Sequence, residues 1–220
     1  MTFRAILWDF GGVLTSSPFD AFNDYEKQQG IPIDFIRGVN AANPDDNAWA
    51  KFESSQITAD EFDTQFLAET THAGHPVPGS DVMALLGGVV RPNMVAVLNR
   101  CKADYQVTCL TNNANAGSGP GMSATKERAE QVVEVMKMFD LVIESSKEGI
   151  RKPNPKIYEL ACERIGVAAN EIVYLDDLGI NLKPAKALGM TTIKVVSEDQ
   201  AVADLSQILK IDFKSLLIDS

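Results

Sequence analysis

The stretch Phe3-Arg-Ala-Ile-Leu-Trp-Asp9-Phe-Gly11-Gly-Val-Leu-Thr15 combines a short apolar run, a carboxylate and two glycines. The apolar run predicts a buried strand, and the glycines predict a turn directly after it. In an open α/β sheet, ligands bind in the crevice at the carboxyl ends of the strands, so Asp9 is predicted to face that crevice. A carboxylate in this place can serve as a nucleophile or as a metal ligand.

The composition limits the classes to which the protein can belong. A chain of 220 residues that is 45% hydrophobic suits one substantial domain, or a domain with an insertion. The net charge of -10 argues against nucleic acid or an anionic membrane as the main partner. We find no apolar stretch of the ~20 residues that a membrane span needs, and no signal-peptide pattern. Three cysteines without CxxC spacing favour reduced thiols and a cytoplasmic location.

Apolar runs and helical patterns alternate along most of the chain. Strands are predicted at residues 4–8, 106–110, 141–144, 171–175 and 192–196. Helices are predicted at residues 93–102, 123–138, 155–165 and 182–188, with a further helix in the tail after residue 201. This alternation predicts an α/β fold with a doubly wound parallel sheet, similar to a Rossmann core. The Asn- and Gly-rich segment 112–121 is predicted to be a flexible loop.

The gap between the first two predicted strands is too long for a single crossover and shows helical patterns only. Two groups of residues are predicted to share a helix face: Phe19, Phe22 and Tyr25, and Phe62, Phe66 and Leu67. We predict a helical cap at residues 16–91, inserted after the first strand into a core formed by residues 1–15 and 92–220. Such lids commonly exclude water and select the substrate.

Three further polar segments follow predicted strand ends. They are Leu110-Thr111-Asn112, Gly149-Ile-Arg-Lys152-Pro-Asn-Pro-Lys-Ile-Tyr158 and Tyr174-Leu-Asp176-Asp177-Leu-Gly-Ile-Asn181. One such segment alone is a weak signal, but four in this order are a strong one. The chain here resembles the haloacid dehalogenase (HAD) superfamily of hydrolases. It is most similar to the phosphatase-type branch that includes the N-terminal domain of soluble epoxide hydrolase, and the resemblance covers the whole chain, including the insertion.

The resemblance implies a Mg²⁺-dependent phosphatase that forms an aspartyl-phosphate at Asp9. It implies that Asp9, Asp177 and the carbonyl oxygen of Gly11 are metal ligands. Asp176 is expected either to act at the metal site through water or to orient Lys152. Oxygen ligands, including one or two carboxylates, are those that Mg²⁺ prefers.

The resemblance also implies how a small phosphorylated metabolite would be bound. Thr111 and Asn112 are expected to donate hydrogen bonds to the phosphoryl oxygens. Lys152 is expected to be both a substrate ligand and a catalytic cation that offsets the developing negative charge. Asn181 is interpreted as a residue that orients the fourth segment, and Arg151 as a surface charge.

Gly11 departs from the pattern of the phosphatases that the chain resembles. The residue two positions after the nucleophile is usually an aspartate in that group, where it protonates the leaving alkoxide and then activates water. A positioned acid–base group of this kind contributes ~10²–10⁴-fold in rate. Three outcomes are open: a slow phosphatase or one limited to good leaving groups, an acid supplied by another residue or a water, or loss of turnover.

Two other functions are open as well. Dehalogenation of a small 2-haloacid suits Gly11, because a halide leaving group needs no acid. The dehalogenase branch has no Mg²⁺ site, however, and its fourth segment typically lacks the acidic pair Asp176-Asp177. The second alternative is a non-catalytic module that binds phosphorylated ligands. Neither the physiological substrate nor the oligomeric state follows from the sequence.

Overall fold

All five predicted strands are present and form one parallel sheet. In the computed structural model, which describes residues 2–113 and 126–217, they are β1 (Ala5–Trp8), β2 (Gln106–Thr111), β3 (Leu141–Glu144), β4 (Ile172–Asp176) and β5 (Thr191–Lys194). The order across the sheet is β3-β2-β1-β4-β5. Because β1 is central, with Trp8 opposite Cys109 and Leu175, the residue after it lies at the middle of the carboxyl edge.

Helices connect the strands and form the insertion. Between β1 and β2 lie α1 (Pro18–Gln29), α2 (Phe35–Ala42), α3 (Ala48–Glu53), α4 (Ala59–His72), α5 (Gly79–Ala84) and α6 (Pro92–Cys101). The later helices are α7 (Lys126–Met136), α8 (Ser145–Glu148), α9 (Pro155–Ile165), α10 (Gly179–Leu188) and α11 (Glu198–Leu209). Within the described residues, no helix is both long and apolar enough to cross a membrane.

Most predicted helices are present, and local signals explain where they begin and end. At α9 the Asn154 side chain accepts a hydrogen bond from the Lys156 N–H, Pro155 is the first helical residue, and Gly166 ends the helix with a left-handed φ of 71°. The short helix α8 has no counterpart among the predictions, because four residues are too few to show a helical period. The predicted loop 112–121 lies outside the described residues beyond Asn113, as does the start of the predicted helix 123–138.

The sheet is buried on both faces, which explains why its strands are apolar throughout. Successive side chains of a strand point to opposite faces. Ile6 and Trp8 belong to one hydrophobic cluster and Ala5 and Leu7 to the other, and all four are fully buried. Parallel sheets covered on both faces read as continuous hydrophobic runs of this kind.

The helices α1 to α5 have a hydrophobic cluster of their own. Its centre is aromatic: Phe52 and Phe62 stack with their ring centroids 4.5 Å apart, and Phe22 and Phe66 are buried beside them. Leu67 is 37% exposed, so the prediction that it shares the face of Phe62 and Phe66 is wrong. One residue beyond Phe66 turns by about 100° around the helix axis, which carries Leu67 away from the cluster.

Two antiparallel segments connect these helices to the sheet. The Ser16 N–H donates to the Val89 carbonyl at 2.8 Å, and the Arg91 N–H donates to the Leu14 carbonyl at 2.8 Å. The segments therefore leave and re-enter the core side by side. We propose that residues 16–91 form the predicted cap, and the division into two domains at these positions stays a prediction.

Glu26 offers a test of what holds the insertion together. Its side chain is fully buried in α1 and accepts hydrogen bonds from the N–H groups of Asp34 (2.7 Å) and Ile36 (2.8 Å) at the start of α2. Glu26→Ala leaves these donors unpaired, so we expect the free energy of unfolding to fall by roughly 1–3 kcal/mol in urea denaturation. Asp24→Ala removes an exposed carboxylate from the same helix and should change it little. Equal losses in the two variants would contradict this role.

Candidate active site

Asp9 occupies the centre of the carboxyl edge of the sheet. Its N–H donates to the Leu175 carbonyl at 2.8 Å, which ties the residue to β4 directly after β1 ends. The side chain is 7% exposed, and its Oδ1 accepts a hydrogen bond from the Phe10 N–H at 2.7 Å. The same oxygen lies 2.8 Å from the Lys152 Nζ. Asp9 is thus a buried carboxylate held in one orientation at the predicted position.

Lys152 joins Asp9 to a second carboxylate. Its side chain is 1% exposed, and its Nζ lies 2.8 Å from both Asp9 Oδ1 and Asp176 Oδ2. Burial by itself lowers the pKa of the ammonium, but the charges of Asp176 and Asp9 outweigh it and raise the pKa above its ordinary value. The lysine is therefore a positive charge held between two carboxyl groups.

The Asn112 side chain holds the backbone of Lys152. Its Oδ1 accepts from the Lys152 N–H at 2.9 Å, and its Nδ2 donates to the Lys152 carbonyl at 3.0 Å. This paired contact spans from the end of β2 to the loop after α8, so it orders the loop that carries the lysine. The predicted hydrogen bond from Asn112 to a phosphoryl group stays a prediction.

Asp176, the last residue of β4, is surrounded by donors. Its Oδ2 accepts from Lys152 Nζ and from the Tyr174 hydroxyl, and its Oδ1 accepts from the Leu178 N–H at 2.8 Å. The Asn181 Nδ2 lies 3.1 Å from both oxygens. A carboxylate with this many protein partners has little capacity left for a metal ion, so the contacts favour the predicted role of orienting Lys152.

The contact of Tyr174 with Asp176 was not predicted, whereas Asn181 was expected to orient the fourth segment, and its contact with Asp176 favours that role. Tyr174 lies two residues before Asp176 on β4, and residues two apart on a strand share a face. That spacing was the available signal for its contact. Asn181 lies in the first turn of α10, where only the folded turn after β4 brings its amide back to Asp176.

Three carboxylates converge at this edge of the sheet. Asp9, Asp176 and Asp177 each offer an oxygen, and these oxygens lie within 4.8 Å of one another. Burial raises the pKa of Asp9 well above its ordinary value, with Lys152 lowering it and the two neighbouring carboxylates raising it further. Burial, reinforced by the charge of Asp176, raises the pKa of Asp177 to about 6. In the part of the chain that the structure describes, the Lys152 ammonium is the cation paired with this cluster, so a divalent cation would offset negative charge that the lysine leaves.

The two glycines after Asp9 have different surroundings. Gly12 has a left-handed φ of 74°, and a Cβ on it would lie 2.2 Å from Asp177 Oδ2. A Cβ on Gly11 would meet no atom within 4 Å. The carboxylate of Asp177, which also accepts from the Ser17 hydroxyl at 3.3 Å, therefore depends on glycine at position 12, whereas position 11 borders open space.

A cavity of about 290 Å³ opens above these groups. Six of the predicted site residues line it: Asp9, Gly11, Thr111, Asn112, Lys152 and Asp177. Asp176 lies beneath them in contact with Lys152. The insertion also lines the cavity, with the aromatic residues Phe19, Phe22 and Trp49 among polar and small ones. The fold therefore brings all seven predicted residues to one place, between the sheet and the insertion.

An ion pair joins the insertion to the loop that carries Lys152. The Nε and Nη2 atoms of Arg151 both lie 2.8 Å from Glu53 Oε2, and Nη1 donates to the Pro44 carbonyl at 2.9 Å. The interpretation of Arg151 as a surface charge is wrong, because the fold brings α3 against this loop. Glu53 also accepts from Asn112 Nδ2 at 3.3 Å. Nothing in the sequence indicates a contact between residues 98 positions apart.

Gly12→Ala tests how closely the turn and Asp177 are fitted. We expect a larger loss in the free energy of unfolding than for Gly30→Ala, measured by urea denaturation. Gly30 has a similar φ of 68°, but a Cβ there would meet no atom within 4 Å. Both variants share the left-handed strain of about 1–2 kcal/mol, and only Gly12→Ala must also displace the Asp177 carboxylate. Equal losses in the free energy of unfolding would show that the contact between residue 12 and the Asp177 carboxylate adds no cost of its own.

The family of the chain follows from comparison with known proteins. The model of the haloacid dehalogenase-like hydrolase family matches residues 3–189, and the chain belongs to this family of hydrolases. Acyl-CoA dehydrogenase family member 10 of Mus musculus is 33% identical over 219 residues, which are 94% of this chain and 19% of that protein. Bifunctional epoxide hydrolase 2 of Sus scrofa is 30% identical over 220 residues, or 94% of this chain and 39% of that protein. The chain thus spans only a part of these relatives.

Other relatives match over nearly their whole length. A sesquiterpene phosphatase of Aspergillus oryzae is 26% identical over 213 residues, which are 94% of this chain and 97% of that protein. Among solved structures, a HAD family enzyme of Bacteroides thetaiotaomicron in complex with magnesium and inorganic phosphate has a TM-score of 0.55 at 21% identity, covering 89% of this chain and 96% of the other. A dehalogenase with an intermediate complex has a TM-score of 0.65 at 18% identity, covering 96% and 99%. The predicted family and fold are confirmed.

Proposed function

We propose that this hydrolase is a Mg²⁺-dependent phosphatase that transfers a phosphoryl group from a small substrate to Asp9 and then to water. The observation that carries the proposal is the buried chain of contacts from Asp9 through Lys152 to Asp176, at the base of a cavity that Asp177 also lines. It combines a nucleophile, a cation and a further carboxylate within a few ångströms. The phosphatase among the relatives and the phosphate complex among the structural neighbours support the same reaction class.

The protein groups divide the work of the reaction. Asp9 attacks phosphorus through a carboxylate oxygen, and the bond from phosphorus to the leaving oxygen breaks. Lys152 holds Asp9 in place and offers its charge to the phosphoryl oxygens, while the Thr111 hydroxyl at the end of β2 donates a hydrogen bond to them. Electrostatic stabilisation by such preorganised groups is commonly the largest contribution in phosphoryl transfer. Water then attacks the aspartyl-phosphate and restores the carboxylate.

The donor set fits a magnesium ion. Asp9 and Asp177 would hold it together with the Gly11 carbonyl, and Asp176 would support the site from below. The set consists of oxygens alone, as Mg²⁺ requires, and its excess negative charge calls for a divalent cation. When bound, the ion offsets the repulsion between the Asp9 carboxylate and a phosphate dianion.

The cavity also bears on the expected substrate. A volume of about 290 Å³ suits a small phosphorylated metabolite rather than nucleic acid or a membrane surface. The cytoplasmic location stays a prediction.

Asp9→Asn should abolish the Mg²⁺-dependent hydrolysis of p-nitrophenyl phosphate, measured as release of nitrophenolate, because an amide cannot act as the nucleophile. Asp24→Asn is the matched control, since it makes the same change at an exposed position and should retain wild-type activity.

Wild-type turnover in Asp9→Asn would show that the nucleophile is assigned wrongly. A different result, in which Mg²⁺ and a phosphate mimic raise the Tm of the wild-type protein while no phosphate compound is turned over, would favour the non-catalytic binding module.

Removal of the metal gives a second test of the function. EDTA should abolish phosphate hydrolysis, and added Mg²⁺ should restore it. Asp177→Asn removes a proposed ligand, so it should raise the Mg²⁺ concentration needed for half-maximal activity while the folded state persists. Activity that is indifferent to EDTA would contradict the proposed metal site.

Dehalogenation is the alternative that Gly11 favours, because halide departs without a proton. Release of halide from chloroacetate in the presence of EDTA distinguishes it. We expect none, because Asp9 and Asp177 offer this chain carboxylates for a metal site, with Asp176 beside them. Metal-independent halide release would overturn the phosphatase proposal.

A further inference from the structure

We propose that the substrate is a phosphate compound whose leaving group departs as a stable anion, such as an acyl phosphate, a phosphoanhydride or an aryl or enol phosphate. Alkyl monoesters are then poor substrates. The inference rests on the proposed phosphatase function and narrows its substrate class. It follows from which groups can give a proton to the leaving oxygen inside the cavity.

Position 11 contributes no proton donor, and no described neighbour has taken its place. Gly11 lines the cavity two residues after the nucleophile. Among the described residues, a Cβ added there would meet no atom within 4 Å, so no described side chain lies against this position. A compensating acid would therefore have to come from another group that lines the cavity.

The described titratable side chains that line the cavity have other roles or partners, which leave none of them placed to protonate the leaving group. Among the described residues that line it, these side chains are Asp9, Arg37, Glu53, Arg151, Lys152 and Asp177. Asp9 is the proposed nucleophile and Asp177 a proposed metal ligand. The two arginines do not lose protons in proteins. The Lys152 ammonium is shared between two carboxylates at 2.8 Å each, which suits a fixed charge rather than a proton donor.

Glu53 is the remaining carboxyl group, and its contacts direct it toward other residues. Two nitrogens of Arg151 lie 2.8 Å from its Oε2, and the same oxygen accepts from Asn112 at 3.3 Å. This oxygen is thus already an acceptor in a charge-assisted ion pair, which suits a structural link to Arg151 rather than a proton donor to the substrate. Residues 114–125, which the structure does not describe, consist of Ala, Asn, Gly, Ser, Pro, Met and Thr, and so contain no acidic, basic, cysteine or tyrosine side chain.

The chemistry without an acid is limited by the leaving group. When Asp9 forms its bond to phosphorus, the electron pair of the breaking bond stays on the leaving oxygen, and the group departs as an anion. Water then adds to phosphorus, and the products are the Asp9 carboxylate and dihydrogen phosphate. A leaving carboxylate resembles a side-chain carboxyl with a pKa of about 4, and a phenolate resembles tyrosine at about 10. An alkoxide is close to hydroxide, a far stronger base than phenolate, and it departs very slowly without a proton.

The test compares phenyl phosphate with benzyl phosphate, which differ by one methylene but leave as a phenolate and an alkoxide. We measure kcat/KM for both with Mg²⁺, since this constant reports the steps up to release of the leaving group. Acetyl phosphate extends the series to a carboxylate. We expect kcat/KM to be at least ~100-fold higher for phenyl than for benzyl phosphate, the low end of what a general acid supplies.

Gly11→Asp restores an acid at the open position and should reduce this ratio at least tenfold, mainly by raising kcat/KM for benzyl phosphate. Gly11→Asn adds a side chain of the same shape without an acid and should leave the ratio as in the wild type.

In the wild type, a ratio of kcat/KM for phenyl to benzyl phosphate below about tenfold would overturn the inference about the leaving group, because it would show that another group protonates the leaving oxygen. The proposed phosphatase function would stand. If none of the three compounds is hydrolysed in the presence of Mg²⁺, the proposed function is overturned, and the inference with it.

Discussion

The ammonium of Lys152, held between the carboxylates of Asp9 and Asp176, is the interaction on which the site depends. All three groups are almost fully buried, and a buried charge is tolerated only when it is paired and hydrogen-bonded. Loss of one partner from such a pair typically costs about 3–5 kcal/mol, since the other charge is left without compensation. The surrounding donors, Tyr174 and Asn181 among them, therefore stabilise Asp176 and help to hold Lys152 against Asp9.

The order of the strands makes this arrangement possible. Asp9 follows the central strand β1, and Asp176 ends the neighbouring strand β4, so the two carboxylates lie side by side at the carboxyl edge. Lys152 comes from the loop after α8 and reaches them because Asn112, at the end of β2, holds its backbone on both sides. Glu53 and Arg151 link the same loop to the insertion. Arg151 thus contacts the insertion, while the next residue, Lys152, contacts the carboxyl groups at the edge of the sheet.

The neighbouring residues Gly11 and Gly12 differ in whether their surroundings have room for a side chain. Gly12 is enclosed: its φ is positive, and the Asp177 carboxylate occupies the place of a side chain. A Cβ on Gly11 would meet no atom of the described residues within 4 Å. The turn therefore requires glycine at position 12 for its geometry, whereas the described surroundings of position 11 leave room for a Cβ. Glycine at position 11 is thus not explained by packing among the described residues, and its proposed consequence is the missing proton donor.

The sequence by itself determined the parallel α/β fold, the helical insertion and the polar residues at the strand ends. These rest on local signals, such as apolar runs, the caps at Asn154 and Gly166, and carboxylates that directly follow strands. Only the tertiary structure decided the partners. It placed Asn181 on Asp176, brought Glu53 to Arg151, and left the position of a Cβ on Gly11 free of described atoms. These features join segments that are far apart in the chain or depend on one particular turn, so no local pattern predicts them.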